Sequence, residues 1–471
     1  MELCQTPSAT RSTALNRREF LARVGSAAAF TIVPSRVLAG AGRTLPSERV
    51  HIGIIGAGGQ GIVNTKQLLQ FADVQVVAVA DPSATSDYSK FYFGGTAGRE
   101  PARRIVDEYY GKEKPAGQFK GCTAYVDFRE MLDREDLDAC LVATTDNWHA
   151  PASMAALRKG KHVYCEKPLA KTVHEARTLA EGAKKYQRAT QTGNQGQASE
   201  NHRLTCEALW DGALGDVREV HAWSDRPFSS WPQGIDRPKD TPPIPPGLDW
   251  DKWLGPAPER SYHPAYHPYK WRGWADFGTG AIGDAAAHSL FTVFQALKLT
   301  YPVTVQATST GFNNETLPAA SIVYYQFPAR GSMPPLRLTW YDGYLQPPRP
   351  EELEENRQMR YNSVLYLGDK SKMLDGRLLP ESRMKEYKFP PKTLPRSLGH
   401  HREWINACKG EGSTGASFDI TGPMTEVLAM GNLALRFPGV LLRWDAASRG
   451  FTNLPEANKF LHRPYRDGWV L

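Results

Sequence analysis

The sequence predicts an α/β fold whose N-terminal part is a doubly wound, mostly parallel sheet of the Rossmann type. Three observations predict it. Val50-His51-Ile52-Gly53-Ile54-Ile55, an apolar run of strand type, leads into Gly56-Ala57-Gly58-Gly59-Gln60-Gly61 and then into a helical stretch reaching about Phe71. The next strand-like run, 74–80, ends at Asp81, twenty positions beyond Gly61. Strand and helix patterns then alternate: 138–144, 161–164 and 189–192 as strands, 148–158 and 172–186 as helices.

At 471 residues the chain exceeds one ordinary core. Taken in order, it divides into a leader at 1–41, a nucleotide-binding domain at 48–195, a second domain at 196–445 and a tail at 446–471. In the leader, Asn16-Arg17-Arg18-Glu19-Phe20-Leu21 precedes a modestly apolar run, 24–33, and an A-x-A site at Ala39-Gly40-Ala41. This resembles a twin-arginine (Tat) export signal, which implies the Tat machinery as a partner and a periplasmic address, membrane-tethered if the signal stays uncleaved. The competing reading is an amphipathic helix with a chance arginine pair.

The net charge of +7 owes much to that leader, which carries five arginines against two glutamates. The remaining surplus forms no basic stripe, so the charge gives no reason to expect nucleic acid as a partner. The six cysteines show neither CxxC nor zinc-like spacing, and the five outside the leader argue against a disulfide framework. Histidines 263, 267, 400 and 401 have no carboxylate or thiolate at ligand spacing, so no metal is expected and loop polarity accounts for them.

In the glycine loop, Gly56 permits the tight turn, Gly58 allows close approach of a pyrophosphate, and Gly61 lets helix and strand pack, with Gly59 and Gln60 at the helix start. A carboxylate at Asp81 can accept hydrogen bonds from the adenosine ribose hydroxyls. Asp81-Pro82-Ser83-Ala84-Thr85 offers no cation to a 2′-phosphate, so the cofactor is expected to be NAD rather than NADP. Ligands of such sheets sit at the carboxyl ends of the strands, which points Thr144, Asn147, His149 and Glu166-Lys167 toward the cofactor. His149 could instead cap the following helix.

Gly56-Ala57-Gly58-Gly59-Gln60-Gly61, Thr144-Thr145-Asp146-Asn147-Trp148-His149, Gly160-Lys161-His162-Val163-Tyr164-Cys165-Glu166-Lys167-Pro168 and Gly278-Thr279-Gly280-Ala281-Ile282-Gly283-Asp284 together resemble the Gfo/Idh/MocA oxidoreductase family. Tyr465-Arg466-Asp467-Gly468-Trp469 and the Pro/Trp-rich insertion resemble a Tat-exported branch of it. The resemblance implies an α+β second domain with an open, largely antiparallel sheet that covers the nicotinamide and often mediates contacts in homo-oligomers. It also implies Glu166 beside the cofactor ribose, Asn194 and Gln195 at the domain junction near substrate, and Lys167 as a cation beside a developing alkoxide. Strand-like runs at 217–223, 303–310, 321–327 and 336–340, with helices at 290–297 and 423–436, fit such a domain.

Asp284 and His288 lie four apart in a helix expected to begin near Gly283, so both can reach one ligand. A neutral His288 can take a hydroxyl proton while Asp284 orients it, making Lys167, Asp284 and His288 the candidate catalytic set. Taken singly, each has a structural reading: a satisfied core histidine, a first-turn carboxylate favoured by the helix dipole, a loop lysine. The irregular insertion 225–275 carries five tryptophans and three tyrosines. Its rings suit either the apolar faces of a sugar or a rigid clasp, and Arg272 is the candidate substrate hydrogen bonder.

The expected function is NAD-dependent oxidation or reduction of a hydroxyl on a sugar, polyol or glycoside. Outside the cytoplasm no soluble nicotinamide pool is available, so the cofactor should be tightly held and recycled in place. A redox-neutral NAD-dependent glycosidase and a non-catalytic binding protein are the alternatives.

Overall fold

The computed structural model describes residues 48–113, 121–227 and 231–471. The leader and its export motif therefore lie outside the described residues. Residues Val50–Leu471 form one compact unit.

The first sheet is built from strands buried on both faces, as a parallel sheet flanked by helices requires. In chain order its elements are β1 (Val50–Ile55), α1 (Gly59–Leu68), β2 (Val74–Ala80), α2 (Arg99–Glu113), β3 (Thr123–Tyr125), α3 (Phe128–Arg134), β4 (Ala139–Val142), α4 (Asp146–Arg158), β5 (His162–Cys165), α5 (Val173–Tyr186) and β6 (Thr190–Thr192). The strands run β3-β2-β1-β4-β5-β6, all parallel. The order reverses between β1 and β4, and the crevice at that switch is where such sheets bind dinucleotides. β1 delivers its chain to that point because Ile52 and Ile54 are fully buried and fix its register.

The second sheet follows α6 (Glu200–Trp210) and β7 (Val217–Trp223). After the insertion, which holds a short helix α7 (Trp250–Leu254), come α8 (Ala287–Ala296), β8 (Thr304–Ser309), β9 (Ser321–Phe327), β10 (Leu336–Tyr341), β11 (Ser363–Gly368), β12 (Lys372–Leu374), β13 (Arg377–Leu379), α9 (His400–Cys408), α10 (Phe418–Ala434), β14 (Leu442–Asp445) and β15 (Gly450–Phe451). The strands run β13-β12-β11-β7-β10-β9-β8-β14-β15, and only the β7–β10 pair is parallel. One face carries α8 and α10, whose Leu290, Phe294, Val427 and Met430 pack with Val220, Val305, Tyr325 and Leu338 in a single core.

Three expectations need correction. The sheet continues through β14 and β15, so the second domain extends past residue 445 to Phe451. α9, counted with the second domain, sends Trp404 and Ile405 into the Rossmann core beside Ile54 and Val76. The same helix starts with His400 and His401, which are buried rather than polar loop residues. Among the described residues, no helix is long and apolar enough to cross a membrane, and the five described cysteines are free thiols.

Candidate active site

The glycine loop is glycine by necessity at two positions. Gly56 has φ +88°, and a Cβ there would stand 2.6 Å from the carbonyl oxygen of Ala143, while a Cβ on Gly61 would lie 2.1 Å from the oxygen of Gly56. α1 therefore starts hard against β1. Its N-cap, Gly58, has no side chain to satisfy the first helical N–H groups. A helix start left open in this way suits a pyrophosphate. Asp81 accepts from the N–H of Ala57 (2.7 Å) and of Ser83 (2.7 Å), which locks β2 to the loop. Burial raises its pKa, and each oxygen keeps acceptor capacity beyond these bonds. Arg99 folds back onto the carbonyls of Asp81 and Pro82 (3.1 Å each). These residues fit NAD.

The loop opens into a cleft lined by Gly56, Gly58, Gly59, Gln60, Asp81 and Thr144, together with Tyr88, Tyr92, Trp148, Trp253, Trp271 and Arg272.

Toward the second domain, Lys167 donates to the carbonyl oxygen of Asp284 (3.0 Å) and to its Oδ1 (2.7 Å). Arg272 approaches the same Oδ1 at 3.6 Å and Arg226 approaches Oδ2 at 3.9 Å. Burial opposes ionisation of Asp284, but Lys167 and Arg272 outweigh it and hold the carboxyl well below the usual carboxylate range. Asp284 sits in a π-type turn, Ile282–Ala286, that feeds into α8, so the helix opens with a wider turn than expected. Such turns recur at functional sites. Gly283 is confined by Thr279, whose Oγ1 would lie 1.9 Å from a Cβ. His288, one turn on, is solvent-exposed although protein surrounds it closely. Enclosure and the Lys167 ammonium push its pKa down to about 3, leaving a neutral base beside a cation.

The structure brings Lys167, Asp284, His288 and Arg272 together. Arg272 is held by stacking on Tyr269 and Trp271, with its guanidinium carbon 4.1 and 4.4 Å from the ring centres. Two strand-end residues turn away from the cleft. Asn147 donates to the carbonyl of Leu254 (3.1 Å), and His149 is buried with Nδ1 against the carbonyl of Pro168 (2.6 Å). Both lie within α4, whose inward face tethers neighbouring segments, so they support the cofactor floor rather than line it. His149 is not a helix cap.

Glu166 is likewise turned inward. Its Oε1 accepts from Asn64 (2.8 Å) and Gln195 (3.1 Å), and His401 donates to Asn64 (3.3 Å). Asn194 bonds the carbonyl of Ala287 (2.7 Å), one residue before His288. Asn194 and Gln195 thus fix the two catalytic segments relative to each other. Sequence reasoning missed Asn64, Tyr88, Tyr92 and His401. The aromatic run Tyr88, Phe91, Tyr92, Phe93 after Asp81 was a visible signal for the middle two. Nothing local marked the others.

The insertion resolves as a clasp. Leu248, Trp250, Trp253, Tyr262, Tyr266, Trp274 and Phe277 form their own buried cluster, with Trp250 and Trp253 stacked at 4.6 Å. Its backbone joins the Rossmann side through the pairs Ala84 N–H to Gly247 and Asp249 N–H to Pro82 (2.8 and 3.1 Å). Trp148 adds a bond to the carbonyl of Trp253 (2.9 Å), and His267 pairs with Ser86 (2.9 Å).

A family model described as an oxidoreductase-family, NAD-binding Rossmann fold matches residues 95–194, and one for the C-terminal alpha/beta domain of that family matches residues 231–329. A Saccharopolyspora erythraea protein named glycosyl hydrolase family 109 protein is 32% identical over 170 residues, 36% of this chain and 34% of that protein. Myo-inositol 2-dehydrogenase from Thermotoga maritima is 28% identical over 178 residues, 38% of this chain and 46% of the enzyme. The chain thus spans about a third to a half of the length of these relatives. Among solved structures, WlbA dehydrogenase from Bordetella pertussis in complex with NADH and UDP-GlcNAcA superposes with a TM-score of 0.56 at 15% identity, covering 84% of this chain and 99% of that one. Levoglucosan dehydrogenase in complex with NADH gives 0.51 at 15%, covering 83% and 98%. At such identities these likenesses speak for the fold.

Proposed function

The chain belongs to the Gfo/Idh/MocA oxidoreductase family, with an NAD-binding Rossmann domain, and from that premise we propose that it oxidises or reduces a hydroxyl of a sugar, polyol or glycoside and keeps its cofactor bound between turnovers. The observation that carries this reading is the cluster of Lys167, Asp284, Arg272 and neutral His288 beside the dinucleotide cleft. When bound, NAD supplies the hydride acceptor for the carbinol carbon. His288 takes the hydroxyl proton as the carbonyl forms, and the reverse transfer returns it. Lys167 steadies the negative charge that builds on the oxygen. Asp284 holds the Lys167 ammonium in place and offsets the imidazolium charge on His288. Arg272, rigid and already stacked, donates to a neighbouring hydroxyl.

Cofactor retention is supported by the clasp, whose Trp253, Trp271 and Pro268 form part of the cleft lining. Export through the Tat route to the periplasm, as a folded and cofactor-loaded protein, belongs to the same proposal and rests on Arg17-Arg18 and the apolar run behind them. It is also the reason for expecting a second substrate as electron acceptor. A second reading, redox-neutral glycoside cleavage through transient oxidation, is favoured by the relatives named for glycoside hydrolysis.

One experiment separates these. Nicotinamide is extracted from the purified protein and quantified, and the protein is then incubated with a glycoside panel while nicotinamide absorbance and free sugar are both followed. Net reduction supports the dehydrogenase. Sugar release without net reduction supports the second reading. Protein that neither carries nor binds nicotinamide overturns both.

A further inference from the structure

The dinucleotide cleft has a wall from a remote part of the chain. Trp469 lines it with Asp81, Pro82, Val126 and Phe128. The Asp81 N–H donates to the carbonyl of Tyr125 beside Val126, and Trp148 touches both Phe128 and Trp469, which puts these residues at one end. Asp81 marks that end as the adenosine side, since its carboxylate sits where ribose hydroxyls are received. The segment bearing Trp469 contributes to neither of the two large sheets, and its ring packs on the edge of the Rossmann core that holds Phe128 and Trp148.

Its placement is built. Trp469 meets Trp148 edge-on at 4.6 Å between ring centres, and the Arg129 guanidinium covers its ring at 4.0 Å. Arg129 is itself fixed by Asp127 (2.6 Å). Three residues before Trp469, Arg466 grips α7 and its C-cap through Asp251 Oδ1 (2.6 Å), the carbonyl of Asp251 (2.9 Å) and that of Gly255 (3.0 Å). Arg463 and Tyr465 converge on buried Glu175 (2.8 and 2.6 Å). The aromatic ring is thus held at a hydrophobic recess by ion pairs on both the clasp and the Rossmann domain, while its neighbours Asp467, Gly468 and Val470 remain exposed.

We propose that Trp469 is a binding residue for the adenosine half of the cofactor, and that Arg466 holds it there as a latch joining the clasp to the Rossmann domain. A flat, partly exposed ring gives a purine a surface to pack on, and the Arg129 cation against the ring helps hold it in place. The inference rests on the reading of the cleft as a tightly held NAD site. Aromatic contacts with nucleobases are of a strength whose removal weakens binding by about ten- to a hundredfold.

The test uses the full chain, wild type and the variants Trp469→Ala, Trp469→Phe and Arg466→Ala. Exchange of bound NAD for isotopically labelled NAD is followed by mass spectrometry, and stripped protein is titrated with adenosine 5′-monophosphate and with nicotinamide mononucleotide. Thermal unfolding of the stripped protein monitors folding. The proposal expects about tenfold or faster exchange and weaker adenosine monophosphate binding for Trp469→Ala, with nicotinamide mononucleotide unchanged, and recovery in Trp469→Phe. Arg466→Ala is expected to follow Trp469→Ala. Equal exchange in wild type and Trp469→Ala, or equal losses for both half-cofactors, overturns the latch while leaving the NAD site standing. A wild-type protein that binds no NAD removes the underlying reading and the latch together.

Discussion

Lys167 spends two of its three donors on a single residue, the carbonyl and the carboxylate of Asp284. The ammonium is thereby placed before substrate arrives, with a charge balance that does not depend on the substrate. Replacing it with methionine keeps the stem and removes the charge. Turnover is expected to fall by about 10²- to 10³-fold, the cost of losing one preorganised donor to a developing oxyanion. NAD affinity, measured by calorimetry, is expected to change little. A parallel loss of NAD binding would show that Lys167 serves the cofactor instead.

The glycine loop offers a sharper steric test. A methyl on Gly61 would collide with the Gly56 oxygen at 2.1 Å, backbone against backbone, whereas one on Gly59 would first meet the Phe93 side chain at 3.0 Å. Gly61→Ala is expected to abolish measurable NAD binding and to lower the unfolding temperature. Gly59→Ala is expected to weaken binding mildly, since Phe93 can move. Equal behaviour of the two would show that the loop tolerates separation of α1 from β1.

The contrast between those glycines also marks what was legible in the sequence. The glycine loop, Asp81 and the alternation that makes β1, β2, β4, β5 and β6 follow from local chemistry, and each formed where its pattern lay. Lys167 and Asp284 were legible only as separate motifs, and their 2.7 Å contact is a product of the fold. Asn147 and His149 pointed elsewhere because a helix rotates side chains by about 100° per residue, and strand-end position does not say which face looks at the cleft. His401 reaches Asn64 across 337 residues, a contact no spacing argument contains. The insertion's rings were equally compatible with sugar or clasp; they bury one another as a clasp would, and Trp253 and Trp271 of the same cluster also line the cleft.

His288 carries the next expectation. Its pKa, lowered first by enclosure and then by the Lys167 charge, stands at about 3, so it is neutral throughout the ordinary range. Initial rates measured in brief assays from pH 8 to pH 5 are expected to show no acid limb near pH 6.5. A limb centred there would mean that the imidazole protonates as in free solution.

Stability has its own pH signature. Enclosure lowers the pKa values of His202, His267, His288, His400 and His401 to about 4, 3, 3, 3 and 4, against 6.5 for the free side chain. Between pH 6.5 and about 4 the unfolded chain therefore binds more protons at these sites, and their stability contribution is lost as pH falls. Asp342, which burial raises to about 7, acts the other way, losing its contribution as pH rises through that value. Burial works against a proton on His149, but Cys165 and Asp146 lift its pKa to about 9, and its contribution is lost only above neutrality. Burial also raises Asp81, Asp146 and Glu426 and lowers His162 and His221. The lowered histidines, these five with the two added, still outnumber the raised groups, so the unfolding temperature is expected to drop steadily from pH 6.5 to pH 5. The slope should ease in His267→Gln, which removes one of the five. A flat profile would show that the histidines are already protonated in the folded state.

Gly255 is where the clasp depends on a single missing atom. It ends α7 at φ 53° and ψ −122°, a conformation costly for any residue with a side chain, and a Cβ there would sit 2.0 Å from the Trp148 ring. Trp148 in turn bonds the carbonyl of Trp253 and lines the cleft, so an alanine at 255 must push the clasp away from the cofactor floor or displace Trp148 into the site. Either movement opens the cleft without touching Lys167, Asp284 or His288. Gly255→Ala is therefore expected to raise the rate of NAD loss on dilution by about tenfold or more, the equivalent of about 1.4 kcal/mol. Turnover at saturating added NAD should stay within a few-fold of wild type. Loss of turnover with NAD retained would place the clasp's role in the chemistry, and unchanged retention would show that the cleft is closed by other means.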